Sequence, residues 1–184
     1  MKKIILIVAA ALVSLSASAQ KFAHVHFNEL VMLMPAADSA RAQIAASQQE
    51  AQDTYKSMTD EFQVKYQQYQ QKSSTWTPAI RESKEKELQD IQTRIQDFDQ
   101  SIQQELQQQQ QQLMAPIQQR AVAAVEKLAK EGGYIYVFEK SSMLYVDETQ
   151  SVDLTPAARK ALNIPDGRTL ETLQQELQAQ AQKQ

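Results

Sequence analysis

The feature that most constrains this chain is a long stretch, from Asp38 to Glu131, that contains no glycine and only two prolines, Pro78 and Pro116. Most of its residues are strong helix formers, and its apolar residues are sparse but periodic. On each side of Pro78 they follow the seven-residue rhythm of a coiled coil. This pattern predicts an antiparallel helical hairpin over residues 38–131 that turns near Pro78. The rows concerned are Tyr55, Phe62, Tyr69 and Trp76; Ile44, Ala51 and Met58; and Leu88, Ile91, Ile95, Phe98 and Ile102.

The first 19 residues have the three parts of a secretory signal peptide. A basic start (Met1-Lys-Lys) is followed by an apolar run from Ile4 to Leu15 and by Ala17-Ser-Ala19, a small-residue cleavage motif before Gln20. The alternative, a transmembrane anchor, is disfavoured because the apolar run is short for a membrane span. The absence of cysteine excludes a lipoprotein. The sequence therefore predicts export by a cleavable signal, with the periplasm as the destination.

Charge and cysteine content exclude other classes of protein. Of the 19 basic residues, Lys2 and Lys3 lie in the signal, so the mature chain is acidic, with 22 Asp and Glu. A protein that binds nucleic acid needs a basic face to neutralise phosphates, so no nucleic-acid partner is predicted. An exported chain without cysteine has no disulfide framework and depends on packing or association for stability.

Short strands are predicted on both sides of the hairpin. Residues 22–27 alternate as a half-buried strand does, and Asp38 is placed as the N-cap of the first long helix. Residues 134–138 and 143–146 are predicted to form a β-hairpin across residues 139–142. Thr155 is then placed as the N-cap of a short helix, with Pro156 at its first position. Strands before and after the helical hairpin can pair into one sheet at its base.

These elements divide the chain into five predicted segments. Residues 1–19 are the signal peptide, and residues 20–37 are an N-terminal strand and the entry to the hairpin. Residues 38–131 are the helical hairpin, and residues 132–166 are a β-hairpin and short helix. Residues 167–184 are a Gln-rich tail, interpreted as a frayed helix. Three short strands per chain would expose edges and an apolar face, so association between copies through the strands is predicted.

No set of reacting residues is evident, and no enzyme activity, catalytic residue or cofactor is predicted. The chain has no Gly-rich phosphate loop and no cysteine nucleophile. His24 and His26 would lie on the same side of a strand, where two imidazoles could begin a metal site. With no third histidine and no nearby carboxylate signature, surface or interface histidines are the preferred interpretation, and no metal is predicted.

The order of these elements resembles the Skp (OmpH-like) family of periplasmic chaperones. The resemblance is carried by the signal peptide, the N-terminal strand, the cysteine-free hairpin, Glu131-Gly-Gly-Tyr134 leading into a strand, the Leu144-Tyr145 segment, and Val152-Asp-Leu-Thr-Pro156. It implies an α+β fold in which a long antiparallel helical hairpin, a coiled-coil tentacle, stands on a small β-sheet base. It also implies a homotrimer in which three such bases form a shared β-barrel body. The hairpins of the trimer are then expected to surround a cavity that holds unfolded outer-membrane proteins without ATP.

The resemblance also suggests which residues meet clients and which meet neighbouring copies. Aromatic and methionine side chains of the hairpin are the candidates for client contact, although packing between the two helices is the competing interpretation for the aromatic row. The client-contact candidates are Met58, Phe62, Tyr66, Tyr69 and Trp76. The trimer-body candidates are Phe22, Val25, Phe27, Ile135, Val137, Leu144 and Val146.

Two features depart from the family as the resemblance presents it. The best-known members are basic, whereas this chain is acidic. Electrostatic attraction to a membrane surface is therefore not expected of this chain, and a weak contact with such a surface is the most that the sequence allows. The Gln-rich tail is also outside the family pattern. A structural coiled-coil spacer or adaptor of the cell envelope is the alternative function, because coiled-coil composition alone would suit it.

Overall fold

The computed structural model of this protein describes residues 21–182, so the predicted signal peptide lies outside the described residues. Helix dominates, and three short strands form one sheet. In chain order the elements are β1 (Lys21–Val25), α1 (Phe27–Leu33), α2 (Pro35–Lys72), α3 (Pro78–Gly132), β2 (Tyr134–Glu139), a 3-10 turn (Lys140–Ser142), β3 (Ser151–Asp153), α4 (Thr155–Ala161) and α5 (Leu170–Ala181).

The described residues form two compact units. The hairpin unit is Pro35–Ile117, and the body unit is made of the described residues up to Met34 and from Gln118 onwards. Helix α3 contributes its longer part to the hairpin unit and its last turns to the body unit. The segment boundaries predicted from sequence stay predictions.

In the hairpin unit, α2 and the first part of α3 run antiparallel on either side of a five-residue turn, 73–77. Pro78 is the first residue of α3, where its missing N–H costs nothing. Pro116 lies inside α3, and the helix continues through it. Asp38 is not the N-cap that the sequence suggested, because α2 already begins at Pro35; its carboxylate instead pairs with Arg41 one turn later.

In the body unit, the sheet order is β2-β1-β3, and both pairings are parallel. Phe22 pairs with Tyr136 on one side and with Ser151 on the other. The predicted β-hairpin after the long helices is therefore wrong: β2 and β3 are separated by β1, and parallel strands cannot be joined by a tight turn. The first strand of the chain becomes the centre of the sheet.

The segment Met143–Val146, predicted as a strand, has no strand conformation. The chain leaves β2 through the 3-10 turn, and the Glu139 carboxylate accepts hydrogen bonds from the N–H and hydroxyl of Ser141 at 3.3 and 2.9 Å. This turn carries the next residues away from the sheet. Leu144 and Tyr145 are left 109% and 81% exposed. The third strand forms later, at Ser151–Asp153.

The core of the body unit is built around α1, a seven-residue helix with buried Leu30, Val31 and Leu33. α1 packs against α4 and α5. The Glu29 carboxylate accepts a hydrogen bond from Arg159 of α4 at 3.0 Å. The other buried apolar side chains of this unit are Ala23, Val25, Met34, Ala121, Leu154, Ala158, Leu162, Ile164 and Leu173.

We expect Leu30→Ala to lower the free energy of unfolding by roughly 2–5 kcal/mol, because Leu30 is 0% exposed and its removal leaves a cavity. Urea denaturation at fixed protein concentration measures the loss. Leu177→Ala, at a leucine that is 41% exposed, is the matched control and should change stability by about 0.5 kcal/mol or less. A loss at Leu30 as small as the control's would show that α1 does not form the core.

Two short hydrogen-bonded links hold α4 against the sheet. The backbone N–H of His26 donates to Thr155 Oγ1 at 3.0 Å, and that of Leu154 donates to the His24 carbonyl at 2.9 Å. The Thr155 hydroxyl therefore accepts a hydrogen bond from the residue that follows β1. It does not cap α4, which is the role that the sequence predicted for it. Asp153 Oδ1 accepts the Thr155 N–H at 2.8 Å instead. Burial alone would raise the pKa of Asp153, but these Thr155 hydrogen bonds and the nearby histidines bring it below its ordinary value.

The Gln-rich tail is part of the body unit. Its helix, α5, begins with a reciprocal capping box in which the hydroxyls of Thr169 and Thr172 accept each other's backbone N–H groups. Leu173 is buried and fixes one face of α5, while its other residues are mostly exposed. A capped and packed helix replaces the frayed one that the sequence suggested.

Candidate functional site

Polar contacts join the two helices of the hairpin unit near its turn. The Arg94 guanidinium contacts the Glu61 carboxylate at 3.0 Å, and the ammonium of Lys65 pairs with Glu87 of the opposite helix. The Tyr69 hydroxyl donates to Glu85. The Glu87 carboxylate also accepts from Lys84 at 2.7 Å. Charged pairs therefore add to the apolar contacts that hold this part of the hairpin together.

The hydrogen bond from Lys65, aided by Lys84, lowers the pKa of Glu87 to about 2. The same contact raises the pKa of Lys65. Because the folded pKa of Glu87 lies below its ordinary 4.5, the stabilisation is present above pH 4.5 and is lost as the pH falls towards 2. The Glu87 side chain is 34% exposed, so solvent screens much of this interaction.

We expect Glu87→Gln to lower the stability of the hairpin by up to about 1 kcal/mol at neutral pH, as for other partly exposed ion pairs. Most of the difference from the unsubstituted protein should be lost at pH 2, where about half of the Glu87 side chains are protonated. Urea denaturation followed by helical circular dichroism at the two pH values measures both. Glu82→Gln, at an exposed glutamate on the same helix, is the control. A deficit that persists at low pH would contradict the assignment of the pKa.

Four aromatic residues of the hairpin, all near its turn, form two pairs. The rings of Phe62 and Tyr66 stack with centroids 5.9 Å apart and planes 7° apart. Those of Tyr69 and Trp76 meet edge to face at 5.9 Å. Tyr66 is 45% exposed, whereas Phe62, Tyr69, Trp76 and Met58 are half-buried. Each candidate for client contact therefore keeps part of its apolar surface in water.

The residue that fills the seam between the helices near the turn is Ile91, which is 3% exposed. Tyr55, the first member of the seven-spaced aromatic row, is 43% exposed. The coiled-coil spacing correctly placed Ile91, but it did not indicate Val64 and Ile80, which are 53% and 46% exposed near the same end of the hairpin. Both lie outside the periodic rows, and that irregular position is the signal that could have identified them.

Farther from the turn, the two helices enclose a groove of about 490 Å³. On the α3 side it is lined by half-buried Phe98, Ile102 and Leu106, whose spacing of four puts them on one face. The facing residues of α2 include Ser47 and Ala51, which are too small to fill the space opposite. The remaining lining residues are Glu50, Thr54, Glu105, Gln108, Gln109 and Gln112. We call this feature the mid-hairpin groove.

In the body unit, the apolar candidates for contact between copies are distributed unevenly. Val25 is 3% exposed and Phe27 is half-buried in α1, whereas Ile135 is 49% exposed and Leu144 is fully exposed. Phe22, Val137 and Val146 are half-buried. Sequence analysis missed Tyr136 and Phe138, which are 59% and 45% exposed on β2. Tyr136 stacks on Phe22 at 6.3 Å and contacts Phe138 at 5.8 Å, so an aromatic patch covers this edge strand.

The sequence favoured a surface or interface position for both histidines, and for His24 this is wrong, because it is 1% exposed within the single chain. It lies in the central strand, β1, between Phe138 of β2 and Asp153 of β3, and its Nδ1 lies 2.9 Å from the Ser151 hydroxyl. His26 is half-buried. Across residues 21–182, no three His, Cys, Asp or Glu side chains are grouped as metal ligands would be.

The fold and its surface define a class: a helix-dominated protein with a long hairpin, a small parallel sheet and apolar side chains displayed on both. Within the described part of the chain, no helix has the length and apolar character needed to cross a membrane.

Comparison with known proteins identifies the family within that class. The outer membrane protein (OmpH-like) family matches residues 21–162, and the chain belongs to this family. A similar fold is found in the crystal structure of a candidate outer membrane chaperone (OmpH-like) from Caulobacter crescentus CB15. The TM-score is 0.70 with 13% sequence identity, over 80% of this chain and 86% of that one. No curated protein matches the sequence.

Proposed function

We propose that this protein is an ATP-independent periplasmic holdase that binds unfolded outer-membrane proteins between the hairpins of a homotrimer. The observation that carries the proposal is the hairpin surface near its turn. Partly exposed aromatic and aliphatic side chains are scattered there over a wall of glutamines and paired charges. Tyr66, Val64 and Ile80 are each 45% exposed or more. Unfolded outer-membrane strands expose an apolar side chain at every second position, which such a wall can meet in many registers.

The expected grip is weak at each contact and strong in total. One aromatic contact adds about 1 kcal/mol, and several together give firm binding without any deep pocket. A chain with three glycines has no Gly-rich loop for a nucleotide, so release must follow from the lower affinity of the folded client. This cycle needs no catalytic residue.

The trimer part of the proposal is supported by the exposed surface of the body unit. β2 is an edge strand with Ile135, Tyr136 and Phe138 all at least 45% exposed. Unpaired edges of this kind invite pairing with another chain. The segment between β2 and β3 that carries Leu144 and Tyr145 is also uncovered. Packing these two features against neighbouring copies would cover both.

The test is suppression of aggregation. An unfolded, tryptophan-free outer-membrane protein is diluted from urea into buffer with or without the mature protein, and light scattering is followed. We expect scattering to be suppressed at about one trimer per client, and the emission of Trp76 to shift with the unfolded client only. Added ATP should change neither signal. Full aggregation with an unchanged Trp76 spectrum would instead favour the structural spacer.

A further inference from the structure

The mid-hairpin groove differs in charge from the rest of the hairpin. Between Arg41 and Lys56 on α2 there is no Lys or Arg, and the same holds between Arg94 and Arg120 on α3. These two stretches face each other across the groove and carry five acidic residues: Glu50, Asp53, Asp97, Asp99 and Glu105. Nearer the turn, positive and negative residues are mixed and several are paired across the helices. The groove therefore lies in a region of uncompensated negative charge.

The groove exists because the two helices offer unequal side chains. A coiled-coil seam closes when apolar side chains of both helices interlock. Here Phe98, Ile102 and Leu106 project from α3, but α2 supplies Ser47, Ala51 and Thr54. A single polar link, from Gln109 Nε2 to Ser47 Oγ at 2.9 Å, spans the helices at this level. The α3 side chains are consequently half-buried, and part of their surface is open to the groove.

The groove thus combines an apolar floor with Glu50 and Glu105 among its lining residues, and both glutamates are exposed. Its 490 Å³ falls within the range of roughly 300–1,000 Å³ that small binding sites occupy. An occupant must cover the apolar floor, fit among the polar side chains around it and bring positive charge. A second copy of this segment would bring more negative charge, and metal ions would leave the floor uncovered. An extended polypeptide with an aliphatic or aromatic side chain flanked by lysine or arginine meets both requirements.

We propose that the mid-hairpin groove binds cationic, apolar segments of polypeptide and so selects, among unfolded clients, stretches in which Lys or Arg flank an apolar residue. This inference rests on the proposed holdase function and names the client chemistry that one part of the hairpin prefers. The surface near the turn, where charges are balanced, has no such preference.

The test uses the full mature protein and two fluorescein-labelled peptides of equal length with the same leucines, one with lysine and one with glutamate at the flanking positions. Fluorescence anisotropy should show the lysine peptide binding at least about tenfold more tightly at low ionic strength. Added salt should weaken this binding, because the charges are exposed and screened. Equal binding of the two peptides would overturn the proposal.

Two variants locate the binding. Ala51→Leu fills the groove with a good helix former, so we expect an unchanged or higher melting temperature together with loss of the lysine peptide. If the Ala51→Leu variant has a lower melting temperature instead, the double variant Glu50→Gln with Glu105→Gln tests the site. It should weaken binding of the lysine peptide about fivefold. Asp60→Asn with Glu82→Gln removes the same charge outside the groove and should leave affinity within about twofold. Equal weakening in the two double variants would overturn the groove as the site.

The same variants separate this inference from the proposed function. If the unsubstituted protein suppresses aggregation of an outer-membrane protein but does not prefer the lysine peptide, the groove proposal fails and the holdase remains. If the lysine peptide binds and Ala51→Leu abolishes it, but no aggregation is suppressed, the groove is supported and the holdase function fails.

Discussion

Replacing Tyr136 and Phe138 together by lysine should convert a trimer of this protein into folded monomers. Both side chains are already 59% and 45% exposed in the single chain, so the substitutions leave its core intact. In an assembly that covers β2, however, each lysine would be buried without a partner at a cost of several kcal/mol. Lysines on an edge strand also block pairing with another chain. The association constant should fall by several orders of magnitude.

Sedimentation velocity of the mature protein at micromolar concentration measures this change, and circular dichroism checks that the helices remain. The matched control is Val64→Lys with Ile80→Lys, which alters two similarly exposed residues of the hairpin unit and should leave the trimer mass unchanged. A trimer that survives the strand substitutions would place the interface elsewhere. A monomeric unsubstituted protein would remove the trimer from the proposed function altogether.

The second large effect is expected from shortening the hairpin. Replacing residues 62–93 by a short glycine–serine turn is a symmetric cut, because Glu61 and Arg94 face each other at 3.0 Å. It removes Phe62, Tyr66 and the Tyr69–Trp76 pair, and with them most of the candidate contacts. Suppression of client aggregation should fall to the level without protein. The trimer should persist, since the body unit is untouched.

The effect of the deletion should be compared with that of Tyr66→Ala in the protein with its whole hairpin. One ring among many weak contacts contributes about 1 kcal/mol, so client affinity should fall by fivefold or less. A shortened protein that still prevents aggregation would show that the surface near the turn is not where clients are held. A single substitution that abolishes activity would contradict the distributed grip.

The hairpin was predictable because its signals are local. The absence of glycine, the placement of Pro78 and the recurrence of apolar residues at three and four each act within a turn or two of helix. The order of the elements was also enough to indicate the OmpH-like family, which the match over residues 21–162 confirms.

The sheet was less predictable because pairing is not local. Alternation in Tyr134–Glu139 indicates a strand but carries no information about its partner or direction. Met143–Val146 has the composition of a strand, yet Lys140–Ser142 turns the chain away before it can pair. Thr155 is of a residue type that often caps helices. Its hydroxyl instead accepts a hydrogen bond from the N–H of His26 at 3.0 Å, so it does not cap α4.

The mid-hairpin groove could not be predicted from the sequence for a related reason. Ala51 fits the seven-residue pattern as an apolar residue, so the periodicity counts it as part of a closed seam. Whether the seam closes depends on volume across the interface, where Ala51 must fill the space opposite Phe98, Ile102 and Leu106. Periodicity reports which face is apolar, and it says nothing about whether two faces match in size.

The central position of β1 sets the order in which this chain can fold. Lys21 of β1 reaches the Gly132 carbonyl 111 residues later, and His24 reaches Ser151 127 residues later. Contacts this distant in sequence form slowly, whereas the helices of the hairpin need only near neighbours. β1 is synthesised first and stays unpaired until nearly the whole chain has been made. During that interval the nascent chain exposes an unpaired strand, as do the unfolded proteins that it is proposed to protect.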